Sequence, residues 1–512
     1  MFKRTNNQLI KLTIYDKKPL ISNQEDMIVK IPEPRNVRPY NQNQMDLFPP
    51  SVRSLIADDH LCIIVNDVVN AADISCLYKK VSREGNPPYH PAMMLKTLFY
   101  AYAKGIFSSR KIADAVADNI GFIFLASWQR PDFRTISDFR KNNLKELAVL
   151  FVQIVQLCEQ LGMVKLGHIA IDGTKIKANA ADANTYDSKR IEREIARWME
   201  QAEAIDQQED HNYGSDKTGD EIPEDIRDRQ KRVKKLKEIK QQLEQSGKEK
   251  INRTDVDAVF MKTNNGIQTA YNAQVAVDAA RQVIIAADVT DEDADVQQLL
   301  PMIEQARENL SGPITQCSAD AGYSSGENLK AVEQRQIDAY IPDREYQAQQ
   351  RGKAVDDFHK DSFVYDDERD CYVCVEGQDL PFSHLQKRKN KEPLLIYRGR
   401  NCTACPFFGH CTTNKNGRSI SRHPYEKELR KMRRKLDSES GKAIYGRRKN
   451  VVEPPFGHIK SIMGFTSFML RGLAKVKGEF KLVSTAHNLR KIWLYLKASG
   501  KTLAEMCPVA EN

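Results

Sequence analysis

His168-Ile-Ala-Ile-Asp-Gly-Thr-Lys175 is a short apolar run that closes on an aspartate. It predicts a core strand from Lys165 to Ile171. After Asp172, the stretch Gly173-Thr-Lys-Ile-Lys-Ala-Asn179 reads as a turn feeding a second extended segment. A carboxylate at the end of a core strand is rigidly held. Two further segments repeat that design. Ser318-Ala-Asp-Ala-Gly-Tyr323 ends the strand candidate Ile314 to Ala319 on Asp320, and Val452-Glu-Pro-Pro-Phe-Gly-His-Ile-Lys460 places Glu453 at the opening of a helix. Three converging carboxylates suit hard divalent cations. Two such ions drive in-line attack on a phosphodiester.

Outward from these segments, strands and helices alternate. Thr269 to Asp278 and Gln282 to Val289 read as neighbouring strands joined by the turn Asp278-Ala-Ala-Arg281. A helix is expected from Asp295 to Leu310. The expected class is therefore an α/β core. Before it, Pro91 to Tyr102, Ser108 to Ala117, Pro131 to Arg140 and Leu144 to Leu161 carry apolar residues at helical spacing. The short helices resemble a helix-turn-helix, with Arg110, Lys111, Arg134 and Arg140 as candidate phosphate contacts. Inside the core, Ile191 to Ile205 and Ile226 to Leu243 read as an antiparallel helical hairpin, joined by an acidic loop over about residues 207–224.

The chain has 512 residues, enough for two or three domains, and a formal net charge of +9. No apolar run is long enough to span a bilayer, and no signal core follows the basic start, so a cytosolic protein is expected. Basic residues concentrate between Arg422 and Lys449, notably Arg430-Lys-Met-Arg-Arg-Lys435 and Arg447-Arg-Lys449. Their place just before Glu453 suggests a phosphate-facing surface. Lys460 lies seven residues after Glu453, hence on the same helical face. Arg448 and Tyr445 are candidate phosphate or base contacts, and Arg471 and Lys475 add basic residues downstream. His487 and Asn488 are expected to make structural hydrogen bonds.

Five of the ten cysteines fall in one window. Cys371-Tyr-Val-Cys374 and Cys402-Thr-Ala-Cys405 form two C-x2-C pairs, which suits a tetrahedral structural Zn2+, and His410 or Cys411 could replace one ligand.

The segments Tyr89 to Lys111, Pro131 to Arg140, Ala170 to Ala180, Ala270-Tyr-Asn-Ala-Gln274, Ala319 to Ser324, Val452 to Lys460 and Arg471-Gly472 together resemble the DDE transposases of bacterial insertion sequences. The resemblance covers nearly the whole chain. It implies a ribonuclease-H-like mixed sheet flanked by helices. Its parts would be a flexible arm (1–45), a helical DNA-binding domain (46–162), a catalytic core (163–345 and 421–500), a helical-hairpin insertion (186–250) and a cysteine-rich insertion, a zinc ribbon (346–420). By this similarity Asp172, Asp320 and Glu453 take the places of the three acids that bind Mg2+ or Mn2+, and Lys460 that of the lysine seven residues on. A related tyrosine-arginine signature is only approximated. Arg448 sits five residues before Glu453, one farther than that signature prefers, and Lys449 holds the preferred place. The implied reaction is cleavage at element ends followed by attack of the freed 3′ hydroxyl on target DNA. Terminal inverted repeats and target DNA would be the partners of a homodimer or larger assembly. The alternative is a sequence-specific DNA-binding protein or nuclease derived from a transposase, without strand transfer.

Overall fold

The first apolar run forms a nine-residue strand, β1 (Ile169–Lys177), in a computed structural model of the chain. The structure describes residues 51–80, 88–213, 224–263, 266–350, 357–388 and 391–507. The expected N-terminal arm and the tip of the helical hairpin lie outside them. Asp172 sits inside β1, not at its end, and the turn expected at Gly173 is absent. Asp-Gly favours a turn in isolation. Here the antiparallel pairing with β3 (Gly266–Asp278), reached after β2 (Val259–Thr263), runs unbroken from Ile169↔Asp278 to Lys177↔Ala270. Gly173 instead serves close approach, since a Cβ there would lie 2.3 Å from Nε2 of Gln274.

Three more strands complete a six-stranded sheet: β4 (Ile284–Thr290), β5 (Gln316–Ala319) and β6 (Asp338–Tyr340). β2 and β4 follow one another along one edge of β3. β1 takes the other edge, then β5 and β6 add in parallel. The parallel steps require crossovers, supplied by the helices Leu299–Asn309 and Gly326–Gln334. From Ala270 to Asp278 every residue of β3 is buried, as befits a central strand covered on both faces.

The expected N-terminal helices form as Pro91–Ala103, Ser109–Asp118, Phe133–Asn142 and Leu144–Gln160. Asp132 caps the third by accepting from the N–H groups of Arg134 and Thr135. The long helix Leu473–Ser499 packs on Leu144–Gln160, Pro91–Ala103 and β4. One apolar core thus runs from the N-terminal helices into the sheet. Arg140 belongs to that core and is not a phosphate contact. It is 4% exposed and donates to Tyr102 Oη and Phe107 O. Tyr102 in turn donates to Glu479, whose other oxygen accepts from the N–H groups of Met469 and Leu470. Phe139 and Ile136 flank Arg140 on the inward face, a signal that its helix turns this position to the core.

The hairpin insertion pairs Ser188–Tyr213 with Glu224–Ser246, the first helix continuing past the expected loop start. Tyr186, Ile191, Leu236, Ile239, Leu243 and Ile251 give it a separate small core. The cysteine-bearing segment is an antiparallel five-stranded sheet: β7 (Val364–Asp366), β8 (Cys371–Val373), β9 (Asp379–Arg388), β10 (Lys391–Arg398) and β11 (Ser419–Arg422).

Glu453 does not open a helix. It lies near the end of Glu439–Gly457, which starts at Ser438, whose hydroxyl accepts from Gly441 N–H. Pro454 and Pro455 stand inside the last turns. A proline at 454 leaves the Asn450 carbonyl without its helical donor. The side-chain amide of Gln282 supplies one at 2.9 Å, so the pair is tolerated where the sequence suggests a start. A π-helical turn, His458–Ile462, follows. Among the described residues no helix is long and apolar enough to cross a membrane.

Candidate active site

Ile171 pairs with Ala319 across the parallel β1–β5 step. Asp172 and Asp320 each follow by one residue, so two carboxylates stand side by side. Asp320 leaves its strand at once and caps a short turn, accepting from Gly322 N–H at 2.8 Å. Asp172 accepts from Gly173 N–H, and its other oxygen accepts from Arg448 Nη1 at 3.1 Å. Burial pushes the Asp172 carboxyl up to about 6, Arg448 opposes this, and repulsion from Asp320 adds to it. Arg448, a 7% exposed residue, is itself held above its ordinary value: burial lowers it, but Asp172, then Tyr445 and Asp320, outweigh that cost.

The helix Glu439–Gly457 packs on β1 and brings Arg448 there. Val451, Val452, Pro455 and Phe456 are buried beside it, and Glu453 is exposed. No described residue hydrogen-bonds or ion-pairs with Glu453. Past the π turn, Lys460 Nζ donates to Thr174 Oγ1 at 2.5 Å and to Lys175 O at 3.2 Å. Burial lowers its pKa. Glu453 therefore sits between two fastenings of the helix to β1, one at Asp172 and one at Thr174.

A polar group that sequence reasoning missed backs this site. Asn272 and Gln274, both fully buried on β3, donate to Asp295 Oδ1 at 2.6 and 2.7 Å. Tyr323, in the turn that Asp320 caps, donates a short bond to Gln274 Oε1. Gly173 and Gly322 both lie against Asp295. The signal was legible: two amides inside the apolar strand Ala270 to Asp278 demand buried partners. His487 and Asn488 make the expected structural bonds. Asn488 pairs with both backbone groups of Ile284, and His487 donates to Gln282 O.

The donor set fits a hard divalent cation: carboxylate oxygens, one largely buried and disfavoured as an anion, with the Arg448 guanidinium against it. The three acids do not close into one cage. Among the described residues, the trio of ligand atoms all within 4.8 Å of one another is Glu345, His359 and Asp361. Glu345 and Asp361 of that trio already pair with the Arg433 guanidinium, and His359 bonds to both acids. Two ions shared among three acids do not require the outer acids to touch.

The basic run before Glu453 is largely consumed internally. Arg430 pairs with Glu426, Lys431 with Glu333, Arg433 with Asp343, and Lys435 with Asp338. Arg447 and Lys449 remain exposed, as do Arg110, Lys111 and Lys475. Arg471 donates to Asn179 O just beyond β1. Arg448 is committed to Asp172.

Two family models match the chain. One, described as "Transposase DDE domain", matches residues 373–493, spanning Glu453 and most of the cysteine-bearing sheet. The other, "Transposase domain (DUF772)", matches residues 50–142, the N-terminal helices. Both support the resemblance to DDE transposases of insertion-sequence type. No curated protein and no solved structure matches the chain.

Proposed function

We propose that the chain cuts DNA at the ends of an insertion sequence and joins the freed 3′ end to target DNA, with Asp172, Asp320 and Glu453 as the metal-binding acids. The observation that carries this reading is the juxtaposition of Asp172, within β1, and Asp320, just past the end of the parallel strand β5, beneath the helix of Glu453. The strand order β4–β3–β1–β5–β6, antiparallel through the first three and parallel through the last two, supports a ribonuclease-H-like core. The transposase matches at both ends of the described chain favour DNA as the substrate.

Bound Mg2+ or Mn2+ would lower the pKa of the attacking water or hydroxyl and neutralise charge at phosphorus. The chain's own groups supply the rest. The sheet fixes Asp172 and Asp320 before substrate arrives, and the buried amides of Asn272 and Gln274 fix Asp295 behind them. Lys460 braces the Glu453 helix on β1. Arg447 and Lys449, exposed on that helix, suit the DNA backbone. The test is a duplex carrying an element end, offered intact and pre-cut at its 3′ end. Asp172→Asn, Asp320→Asn and Glu453→Gln should each lower cleavage and joining by roughly 10³-fold with DNA affinity kept. Full activity in any one variant would remove that residue from the site. Cleavage without joining of the pre-cut end would reduce the proposal to a nuclease.

A further inference from the structure

The cysteine-bearing sheet encloses a cavity of about 510 Å³ remote in sequence from the three acids. Five cysteines line it, with Phe358, Phe407 and Phe408. All five are free thiols, but they are not equivalent. Cys371 lies in β8, paired with Pro381 on one side and Asp366 on the other. Its strand neighbour Tyr372 turns to the opposite face, into a small apolar cluster with Phe363, Leu380, Tyr397 and Ile420. Cys374 and Cys411 pack against that cluster. Cys402 and Cys405 share one tight turn. Cys374, Cys402, Cys405 and Cys411 thus lie on turns and loops, and Cys371 is held inside a strand.

The backbone around these four is built for sulfur. Gln378 N–H points at Cys374 Sγ at 3.3 Å, and Arg418 N–H at Cys402 Sγ at 3.2 Å. Such donors stabilise thiolates. A Cβ at Gly399 would lie 2.8 Å from Cys402 Sγ. One at Gly417, whose φ is +88°, would lie 1.9 Å from Gly399 O and 3.4 Å from that sulfur. Two glycines thus keep the wall open around a single thiol. Cys402 to Ala404 form a tight turn that sets Cys402 and Cys405 on one side, and Gly377, with φ +72°, closes the turn after Cys374.

We infer that Cys374, Cys402, Cys405 and Cys411 form a tetrathiolate site for a structural Zn2+, with Cys411 in the place that C-x2-C spacing gives to Cys371. Four thiolates on short turns are the donor set of closed structural zinc sites. As free thiols, no three of these sulfurs stand within 4.8 Å of one another among the described residues. Rotation about χ1 moves each sulfur with little backbone change, so metal binding would draw them in. Binding expels the thiol protons and joins β8, the turn before β11 and the segment between them. It has no part in the chemistry at Asp172.

The test is metal content of the full chain, purified reduced from zinc-supplemented medium. Wild type and Cys371→Ser should each carry about one zinc per chain, and Cys402→Ser and Cys411→Ser close to none. Differential alkylation of wild type guards against variants that fail to fold. Cys374, Cys402, Cys405 and Cys411 should be protected until a chelator is added. Zinc kept in Cys411→Ser but lost in Cys371→Ser would overturn the ligand set. A wild-type chain without zinc, or thiols equally labelled with and without chelator, would overturn the site. Neither result depends on the DNA chemistry proposed above.

Discussion

Arg448 donates to the Asp172 carboxylate at 3.1 Å across 276 residues of chain. The pair is largely buried, and Asp320 acts on both of its members. A protein cation thus occupies the charge that a divalent ion would meet at the same oxygen. The arginine stabilises the site without metal and would compete for it with the ions proposed above.

That competition gives the first prediction. Arg448→Gln should lower stability in the absence of divalent ions by roughly 3 kcal/mol, because a buried carboxylate loses its partner. The same variant should gain more from added Mn2+ than wild type does, read as the rise in Tm at pH 8. Ion and guanidinium would then be alternative occupants of one carboxylate. An equal rise in both proteins would show that they do not share it.

By its spacing from Glu453, Lys460 should hold the DNA backbone, yet its ammonium is already bonded to Thr174 and Lys175. The two roles differ in salt dependence. If Lys460 neutralises a phosphate, Lys460→Ala should reduce the slope of log affinity against log salt by about one. If it is a brace, the slope should stay unchanged while Tm and cleavage fall together. Lysine bonded twice within the chain has little reach left, so the second outcome is expected.

Gly173 touches the network behind the acids. An added methyl group would meet Gln274 Nε2 at 2.3 Å and Asp295 Oδ1 at 2.9 Å. Gly173→Ala should cost roughly 1–3 kcal/mol by overpacking. Gln274→Ala frees that space but strips Tyr323 and Asp295 of a partner. The double variant should be less destabilised than the sum of the singles, measured by urea unfolding. Strict additivity would mean that the glycine is needed for another reason.

The sequence made the acids visible and hid their mountings. Apolar runs ending near Asp172 and Asp320 are local patterns, and both aspartates do meet on neighbouring strands. That Asp172 lies inside its strand could not be read locally, because only the ladder to β3 stops Gly173 from turning. The same holds for Glu453. Pro-Pro after a glutamate resembles a helix start, and it is Gln282, 168 residues before the Asn450 carbonyl it satisfies, that makes it fit near a helix end. Charge density misled most. Arg140 and the run Arg430 to Lys435 look like a DNA-facing surface, but apart from Glu426, which pairs with Arg430 one helical turn away, their acidic or hydroxyl partners lie far away in sequence. Spacing alone favours Cys371 as a ligand, whereas the neighbours of a thiol are a property of the folded sheet.

The end of the Glu453 helix is fastened to the long C-terminal helix by two imidazoles. His458 Nδ1 and His487 Nδ1 are 2.9 Å apart, and His487 Nε2 donates to Gln282 O. With Nε2 of His487 carrying the proton, its Nδ1 must accept from His458, an arrangement that needs a neutral His487. Burial lowers the His487 pKa to about 3 and that of His458 to about 4. The unfolded chain takes up these protons near 6.5, so between 6.5 and the lowered values it binds more protons than the folded one. Stability supplied by the neutral pair is complete above about 6.5 and is lost as pH falls towards 4 and then 3. The Tm should therefore drop steadily over that interval. His458→Asn keeps a donor for His487 and does not titrate, so its Tm should fall less steeply between pH 6.5 and 4. Parallel curves for the two proteins would assign the acid lability to carboxylates elsewhere.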